Sequence, residues 1–498
     1  MDELSVLLAD EAATTRLGAD LAAAAKPGDL FALHGDLGAG KTTLARGFIR
    51  ALAGDAGMEV PSPTFTLVQT YEARIPVRHF DLYRLGGAGE LEELAFDDDR
   101  QSSVTLVEWP ERAGDTLPAD RIDVALSHEG TGRRASISGP ETGMARLRRS
   151  LDIRAFLARS GMADAARTFL LGDASTRAYE TVALPGQPVR ILMNAPRQPD
   201  GPPIRDGKPY SQIAHLAESV TPFVAVGKAL LERGFAAPEI YSQDLDGGLL
   251  VIEHLGREGV LDAQGRPVAE RYVAAAKVLA DIHGKQWPRD MEAAPGVVHH
   301  LPAFDRGALA IETELVTDWY MPFEAGRPAT PEDRADYAAA WACVFDRLDK
   351  AEKSILLRDY HSPNIIWRGD KTGNDRIGII DFQDAMWGPS AYDVASLAQD
   401  ARVTISPDLE DEIVGAYVAA RQAAGAFDRE GFAEAYAIMA AQRNSKILGI
   451  FVRLNARDGK PVYLKHLPRM RAYVSRALRH PALAEVRAFF DSRGLLGS

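Results

Sequence analysis

Short apolar runs broken by polar or Gly/Pro punctuation dominate the first part of the chain, and long segments of helical spacing dominate the last part. Leu4, Leu7, Leu8, Leu17 and Leu21 recur at a roughly helical period over residues 3–25, which predicts a helix closed by the Lys26-Pro27-Gly28-Asp29 turn. Residues 30–33 are a short apolar run that reads as a strand, and 42–52 return to helical spacing, so strand, loop and helix follow in that order. Further strands are expected at 65–70, 77–81, 104–108 and 121–126, which makes this part α/β. From about 128 to 150, Gly130, Gly132, Gly139, Pro140 and Gly143 interrupt the pattern, and no regular element is expected there. The pattern restarts at Leu151, with a helix to about 160 and strands near 179–184, 189–193 and 249–253. Amphipathic segments at 270–283, 332–351 and 409–423 follow, and strands before helices predict a small β-rich lobe joined to a helical lobe.

A chain of 498 residues exceeds what one hydrophobic core usually supports. The pattern places domains at 1–140 and 151–498, with 141–150 as a linker. The balance of 57 Lys+Arg against 70 Asp+Glu gives a net charge of −13, the wrong sign for a surface that grips nucleic acid as a whole. Cys343 is the sole cysteine, which excludes an intramolecular disulfide and a cysteine-based zinc site; its helical surroundings predict a core thiol. The acidic start, Met1-Asp2-Glu3-Leu4, and the lack of a long apolar run predict a cytoplasmic protein with no membrane partner.

Between the strand at 30–33 and the following helix lies Gly35-Asp36-Leu37-Gly38-Ala39-Gly40-Lys41-Thr42-Thr43. Such a loop cradles phosphates with backbone N–H groups; Lys41 would neutralise the β and γ oxygens and Thr42 would offer its hydroxyl to magnesium. An ordinary tight turn is the competing reading, and the strand before and helix after weigh against it. Glu108 ends an apolar run at 104–107, so its carboxylate would project from a strand's C-terminal end, where such folds hold phosphate and magnesium. Asp81 stands in the same relation to residues 77–80. Solvated carboxylates at strand ends are the plainer alternative for both.

Three further segments, Ser62-Pro63-Thr64-Phe65-Thr66-Leu67-Val68, His79-Phe80-Asp81-Leu82-Tyr83-Arg84 and Val107-Glu108-Trp109-Pro110-Glu111-Arg112, occur in order after the loop. Together the four motifs resemble TsaE, the ATPase subunit of the bacterial machinery that makes threonylcarbamoyladenosine in tRNA, over about residues 4–140. The resemblance implies a P-loop NTPase fold, an acidic role for Asp81, magnesium or water orientation at Glu108, a γ-phosphate-sensing segment at Thr64 and Thr66, and a nucleotide-side Trp109. It also implies slow ATP hydrolysis that drives a partner threonylcarbamoyl transferase complex, with tRNA contacted indirectly.

A second constellation is Leu356-Leu357-Arg358-Asp359-Tyr360-His361-Ser362-Pro363-Asn364, followed by Asp381-Phe382-Gln383-Asp384 after an apolar run at 377–380. Phosphorylating a hydroxyl needs an acceptor-side base and groups that hold metal ions across the phosphates. Asp359 would be that base, with Asn364 five residues on and Asp381 as magnesium ligands. Turn aspartates and a capping asparagine are the competing reading. With Gly172-Asp173-Ala174-Ser175-Thr176-Arg177-Ala178-Tyr179 and the segments at 250–256, 279–283 and 388–402, this set resembles the aminoglycoside phosphotransferase superfamily over about residues 150–490. Within it, the likeness is greatest to kinases of the anomeric hydroxyl of N-acetylmuramate and N-acetylglucosamine.

The resemblance implies an α+β two-lobed, protein-kinase-like fold that uses ATP and Mg2+ on a small sugar. Ser175 and Arg177 would contact phosphate, Glu253 and Leu255 would meet adenine, Asp393 would brace the catalytic loop, and His283 and His361 would be structural. Glu314, Asp318, Trp319 and Asp384 are candidate sugar contacts by position alone. Two departures stand out: Leu357 replaces a frequent His, and the strand Val189-Arg190-Ile191-Leu192-Met193-Asn194 lacks the ATP-pairing Lys, for which Arg190 or Arg177 are the candidates. Another alcohol or aminoglycoside acceptor, or a non-catalytic nucleotide-binding regulator, are the alternatives for this half.

Overall fold

A computed structural model describes residues 3–86, 91, 94, 96, 99–170 and 177–496. Residues 1–194 with 249–251 form one compact unit, and residues 195–248 with 252–498 form another. Among the described residues no helix is long and apolar enough to cross a membrane.

The first unit is built on seven strands: β1 (Glu3–Leu8), β2 (Leu30–His34), β3 (Val68–Tyr71), β4 (Val77–Asp81), β5 (Val104–Glu108), β6 (Ile122–Glu129) and β7 (Gly132–Ser138). Their order is β1-β7-β6-β2-β5-β4-β3, with β6, β2, β5 and β4 parallel and the outer strands antiparallel. The central β4 and β5 are buried along their whole length, as parallel strands covered on both faces require. Residues 3–8 are therefore a strand and not the start of a helix. Leu4, Val6 and Leu8 alternate toward the core, and the Asp10 carboxylate caps the helix that follows by accepting the Ala13 N–H at 2.7 Å.

That helix, α1 (Glu11–Ala24), packs along α2 (Lys41–Ala53). The approach is so close that a Cβ at Gly18 would land on the Leu44 carbonyl and one at Gly47 on the Thr15 carbonyl. Two glycines at facing positions thus fix α1 against the helix that begins with the phosphate-binding loop.

Residues 141–150, expected as a linker, are instead the first half of α3 (Glu141–Arg159). The Gly/Pro punctuation belongs to the β6–β7 turn at Gly130 and to the entry of α3 at Gly139-Pro140. Beyond it, buried Gly143, Met144, Leu147, Ser150, Ile153, Phe156 and Leu157 keep an unbroken helical spacing. One helix serves two cores: Met144 and Leu147 join the seven-stranded sheet, while Ile153, Phe156 and Leu157 pack with Val182, Leu192, Leu249 and Val251. The second core lies on an antiparallel set, β8 (Ala166–Leu170), β9 (Ala178–Ala183) and β10 (Arg190–Asn194). β8, which periodicity missed, is an edge strand whose buried residue is an arginine, Arg167.

In the second unit, α4 (Thr221–Glu232), α5 (Ala269–Gly284), α6 (Arg306–Thr313) and α7 (Pro331–Arg347) precede two short strand pairs. These are β11 (Lys353–Leu356) with β14 (Met386–Pro389), and β12 (Ile365–Trp367) with β13 (Ile377–Ile379). α8 (Ala391–Ala398), α9 (Pro407–Ala424) and α10 (Arg429–Ala456) follow. The 28-residue α10 eluded pattern reading because it is buried nearly all round, polar Gln442, Arg443, Asn444 and Ser445 included, and so shows no clean apolar stripe. Cys343 lies on the exposed face of α7, not in the core.

Gly47→Ala should destabilise the first unit by about 1–3 kcal/mol, the usual cost of forcing extra volume into a filled contact, read from urea unfolding of the full chain. An unchanged midpoint would mean that α1 and α2 separate freely.

Candidate active sites

The loop between β2 and α2 carries the first constellation. Gly35 and Gly40 have φ of 136° and 107°, and a Cβ at Gly35 would collide with the Leu126 carbonyl, so the sequence's glycines are required by the backbone path. Leu37 at the apex is 80 % exposed, while Ala39 is buried. Lys41 Nζ donates to the carbonyls of Gly35 at 2.5 Å and Asp36 at 3.0 Å, and lies 3.6 Å from the Trp109 ring centroid. Burial holds the Lys41 ammonium below its usual range, opposed by Glu108, Glu111, Asp81 and Asp36. A cation so placed gains from an incoming polyphosphate.

Parallel pairing sets β4 and β5 so that Asp81 is opposite Glu108 at the ends of both strands. Thr42 Oγ1 donates to Glu108 Oε2 at 2.9 Å, and His79 Nε2 lies 3.0 Å from Glu108 Oε1. Asp81 Oδ2 accepts from Ser62 Oγ at 2.5 Å and Thr64 Oγ1 at 2.9 Å, and its Oδ1 accepts the Tyr83 N–H at 3.0 Å. The loop, Asp81, Glu108 and Trp109 thus converge, and Thr64 is tied to the same carboxylate, whereas Thr66 is exposed. Phe65, 81 % exposed, stacks under Arg84 at 4.1 Å.

The second constellation sits between β11 and β13. The buried Asp393 carboxylate at the start of α8 accepts the N–H groups of Leu357 at 2.6 Å and Arg358 at 2.8 Å. His283 Nε2 lies 3.5 Å from Asp393, and its Nδ1 is 2.9 Å from the Tyr417 hydroxyl. Asp393 and His283 are therefore braces. Leu357 is buried in the core, so the bracing of this loop comes from Asp393. Arg358, at φ 68°, turns its guanidinium onto the fully buried Glu312 and onto the Ala214 carbonyl at 2.8 Å. Glu312 also accepts from Lys446 Nζ at 2.9 Å and Gln442 Nε2 at 3.0 Å.

Asp359 is half-buried at the surface of this cluster. Burial pushes its carboxyl up, but the positive field of His361, Lys446, Arg358 and Arg443 outweighs that and holds it below the ordinary aspartate value. Asn364 Nδ2 donates to the Asp359 carbonyl at 2.9 Å and reaches Asp381 Oδ2 at 3.3 Å; Asp381 Oδ1 accepts from Gln383 Nε2 at 2.9 Å. Asp359, Asn364 and Asp381 are thereby brought together. Thr42 with Glu108, and Asp381 with the carboxamide oxygen of Asn364, can offer the oxygen atoms that a hard divalent cation takes.

Other expected contacts have different partners. Glu253 is engaged by the Glu239 N–H at 3.3 Å and by Arg368 at 3.5 Å, and Leu255 is buried beside Gly378. Glu314 pairs with Arg205 at 2.5 Å, Asp318 pairs with Arg334, and Asp384 accepts the Ala217 N–H at 2.7 Å, so none of the three is a free sugar ligand. Arg177 is half-buried, Arg190 NH1 reaches Met162 Sδ at 3.5 Å, and Ser175 lies outside the described residues. Buried Glu312 and half-buried Lys446 were not legible as site residues, because no local motif marks a contact between residues 46 or 134 positions apart; His79 stands in one of the four motifs, but its contact with Glu108 is not marked there.

A family model described as "Threonylcarbamoyl adenosine biosynthesis protein TsaE" matches residues 8–136, and one described as "Phosphotransferase enzyme family" matches residues 167–434. An N-acetylmuramate/N-acetylglucosamine kinase of Caulobacter vibrioides is 35% identical over 353 residues, 68% of this chain and 94% of that protein. A tRNA threonylcarbamoyladenosine biosynthesis protein TsaE of Rickettsia felis is 38% identical over 122 residues, 24% of this chain and 71% of that protein. The solved structure titled "Crystal structure of Bacillus subtilus YdiB" aligns at 29% identity over 31% of this chain and 97% of that one, with a TM-score of 0.26.

Asp393→Ala strands two buried N–H groups and should cost roughly 2–6 kcal/mol of stability, measured by denaturant titration. A loss below 0.5 kcal/mol would show that the loop before Asp359 is held by other means.

Proposed function

We propose that this chain, which belongs to the TsaE family through its N-terminal part and to the phosphotransferase enzyme family through its C-terminal part, is a bifunctional cytosolic protein with two ATP-using sites. The first hydrolyses ATP in support of threonylcarbamoyladenosine formation in tRNA, acting on a partner transferase complex. The second phosphorylates the anomeric hydroxyl of N-acetylmuramate or N-acetylglucosamine. Residues 1–140 carry the first activity and 151–498 the second, with α3 shared structurally between them.

In the first site Gly35, Asp36, Leu37, Gly38, Ala39, Gly40 and Thr43 form the phosphate cradle. Lys41 releases the two loop carbonyls to meet the β and γ oxygens, and Glu108, steadied by His79, orients the attacking water. Asp81 keeps Ser62 and Thr64 in register with the nucleotide, and Trp109 lies on the nucleotide side.

In the second, Asp359 accepts the proton of the sugar hydroxyl as that oxygen attacks the γ-phosphorus and ADP leaves. Its ionisation at neutral pH is the property this role needs. Asn364 and Asp381 here, and Thr42 and Glu108 in the first site, would hold a magnesium ion, which when bound would neutralise phosphate charge. On the sequence pattern, Ser175 and Arg177 would contact phosphate and Glu253 and Leu255 would meet adenine. The observation that carries this reading is the meeting of Asp359, Asn364 and Asp381 in a chain that spans 94% of a sugar kinase. The lysine missing from β10 is what favours a non-catalytic nucleotide-binding module instead.

Purified chain with labelled ATP and a panel of amino sugars, aminoglycosides and no acceptor should label N-acetyl amino sugars only. Asp359→Asn should remove that labelling by about 10³-fold or more and leave ATP hydrolysis, which Lys41→Ala abolishes. ATP binding with no transfer to any acceptor would favour the regulator. Because the positive surroundings hold the Asp359 carboxyl below the ordinary aspartate value, it is ionised across about pH 5 to 8 and is lost as a base only in more acid solution. Transfer should therefore show no acid limb between pH 5 and 8 that moves with Asp359→Glu; such a limb would assign the base elsewhere.

A further inference from the structure

Arg443, Lys446 and Arg453 of α10 are met by their surroundings in different ways. Lys446 Nζ donates to Glu312 at 2.9 Å and lies 3.1 Å from the Tyr392 hydroxyl. Arg443 is 3 % exposed and adds to the field that keeps Asp359 ionised. Arg453, half-buried, has no ion pair among the described residues, and its Nε is buried without a hydrogen-bond partner. The acidic residue that follows it on the chain, Asp458, is taken by Arg457, whose Nε and NH2 donate to it at 2.7 and 3.1 Å. Burial holds the Arg453 guanidinium below its usual range, against weaker support from Tyr210 and Asp458. A guanidinium drawn out of water without a counter-ion is costly, and one drawn out only halfway can still receive an anion from solution.

A short chain of contacts places Arg453 relative to Asp359. Arg358, the residue before Asp359, donates from NH1 to the Ala214 carbonyl at 2.8 Å. Ala214 closes the single helical turn Tyr210–Ile213, its N–H donating to the Tyr210 carbonyl at 2.8 Å. The Tyr210 ring meets Arg453, whose Cζ lies 5.4 Å from the ring centroid. Burial and Glu312 push the Tyr210 hydroxyl up while Lys446, Arg453 and Arg358 oppose, so the phenol stands among the charges that back Asp359. Along α10, Arg453 follows Lys446 by two turns, about 10 Å on and within about 20° of the same face. Its guanidinium therefore lies on the face that Lys446 turns toward Glu312, one aromatic ring beyond the cluster behind the base.

We infer that Arg453 is the specificity-determining residue of the kinase site, receiving a carboxylate on the acceptor sugar, so that N-acetylmuramate is preferred to N-acetylglucosamine. The inference rests on the kinase reading above. The two acceptors differ at one place: N-acetylmuramate carries a lactyl ether with a carboxylate on its third carbon, where N-acetylglucosamine has a hydroxyl. With the anomeric oxygen at Asp359, that anion hangs two ring carbons away from the reacting centre. Lys446 is already held by Glu312 and Arg443 is buried, so the cation set back from the base meets it. A planar guanidinium takes a carboxylate through parallel N–H donors, each stronger than a neutral hydrogen bond. The same cations work against aminoglycosides, whose ammonium groups would meet like charge in place of an anion.

Steady-state transfer by the full chain to each sugar separately reads the difference. Arg453→Gln should raise KM for N-acetylmuramate about 10–100-fold relative to KM for N-acetylglucosamine, the loss expected when a charge-assisted hydrogen-bond pair goes. Arg453→Lys, which keeps the charge and loses the fork, should recover part of that loss. The wild-type chain supplies a second measurement that needs no variant: the methyl ester of N-acetylmuramate, which keeps the lactyl group without its charge, should have a KM about tenfold or more above that of the acid. KM values that rise together for both sugars in Arg453→Gln, or equal KM values for acid and ester, would overturn the inference. A wild-type chain that labels neither sugar removes the kinase reading, and the inference with it.

Discussion

An ionised carboxylate taken out of water costs several kcal/mol unless donors meet its oxygens, and this molecule turns that cost into placement at every point where ATP chemistry is expected. Asp81 gathers two hydroxyls and a backbone N–H, Glu108 a hydroxyl and a histidine, Asp393 two backbone N–H groups, and Glu312 a guanidinium, an ammonium and a carboxamide. Each acts as a node that defines where several chain segments lie. Thr42 in one site and Asp359 in the other are left nearer to solvent.

The two sites solve the phosphate problem in opposite ways. The first meets the anion with main chain, and so depends on backbone shape and on one ammonium parked on two carbonyls until a better partner arrives. The second surrounds Asp359 with cations from its own loop, Arg358 and His361, and from α10, Arg443 and Lys446, while Glu312 of α6 holds Arg358 and Lys446 in place. Consequently the first is written as one contiguous motif, whereas the second is scattered over more than a hundred residues.

That contrast explains what could be read in advance. The P-loop, the strands ending at Asp81 and Glu108, and the Asp359, Asn364 and Asp381 set were legible because each lies beside a local pattern: a Gly-rich loop, an apolar run, a fixed spacing of five. Residues 3–8 misled because Leu4, Leu7 and Leu8 fit a helical period while the true alternation was Leu4, Val6, Leu8. The 141–150 stretch misled because glycines at a turn and at a helix entry resemble a linker when counted together. The arginine partners of Glu314 and Asp318 went unseen because long-range pairs leave no mark in one dimension.

α3 has a bearing on how such a chain could arise. A helix advances about 100° per residue, so Met144 and Leu147 face one core while Ile153, Phe156 and Leu157 face the other from roughly the opposite side of the helix, and the number of residues between the two sets fixes that angle. One codon gained or lost near residue 150 would rotate everything after it by more than a quarter turn and swing Arg154 away from the Asp20 carboxylate with which it pairs. Two genes joined by a loose tether tolerate such slippage; a junction with helical phase does not. Length changes compatible with both cores would therefore be whole helical turns, or would fall outside residues 141–159 altogether.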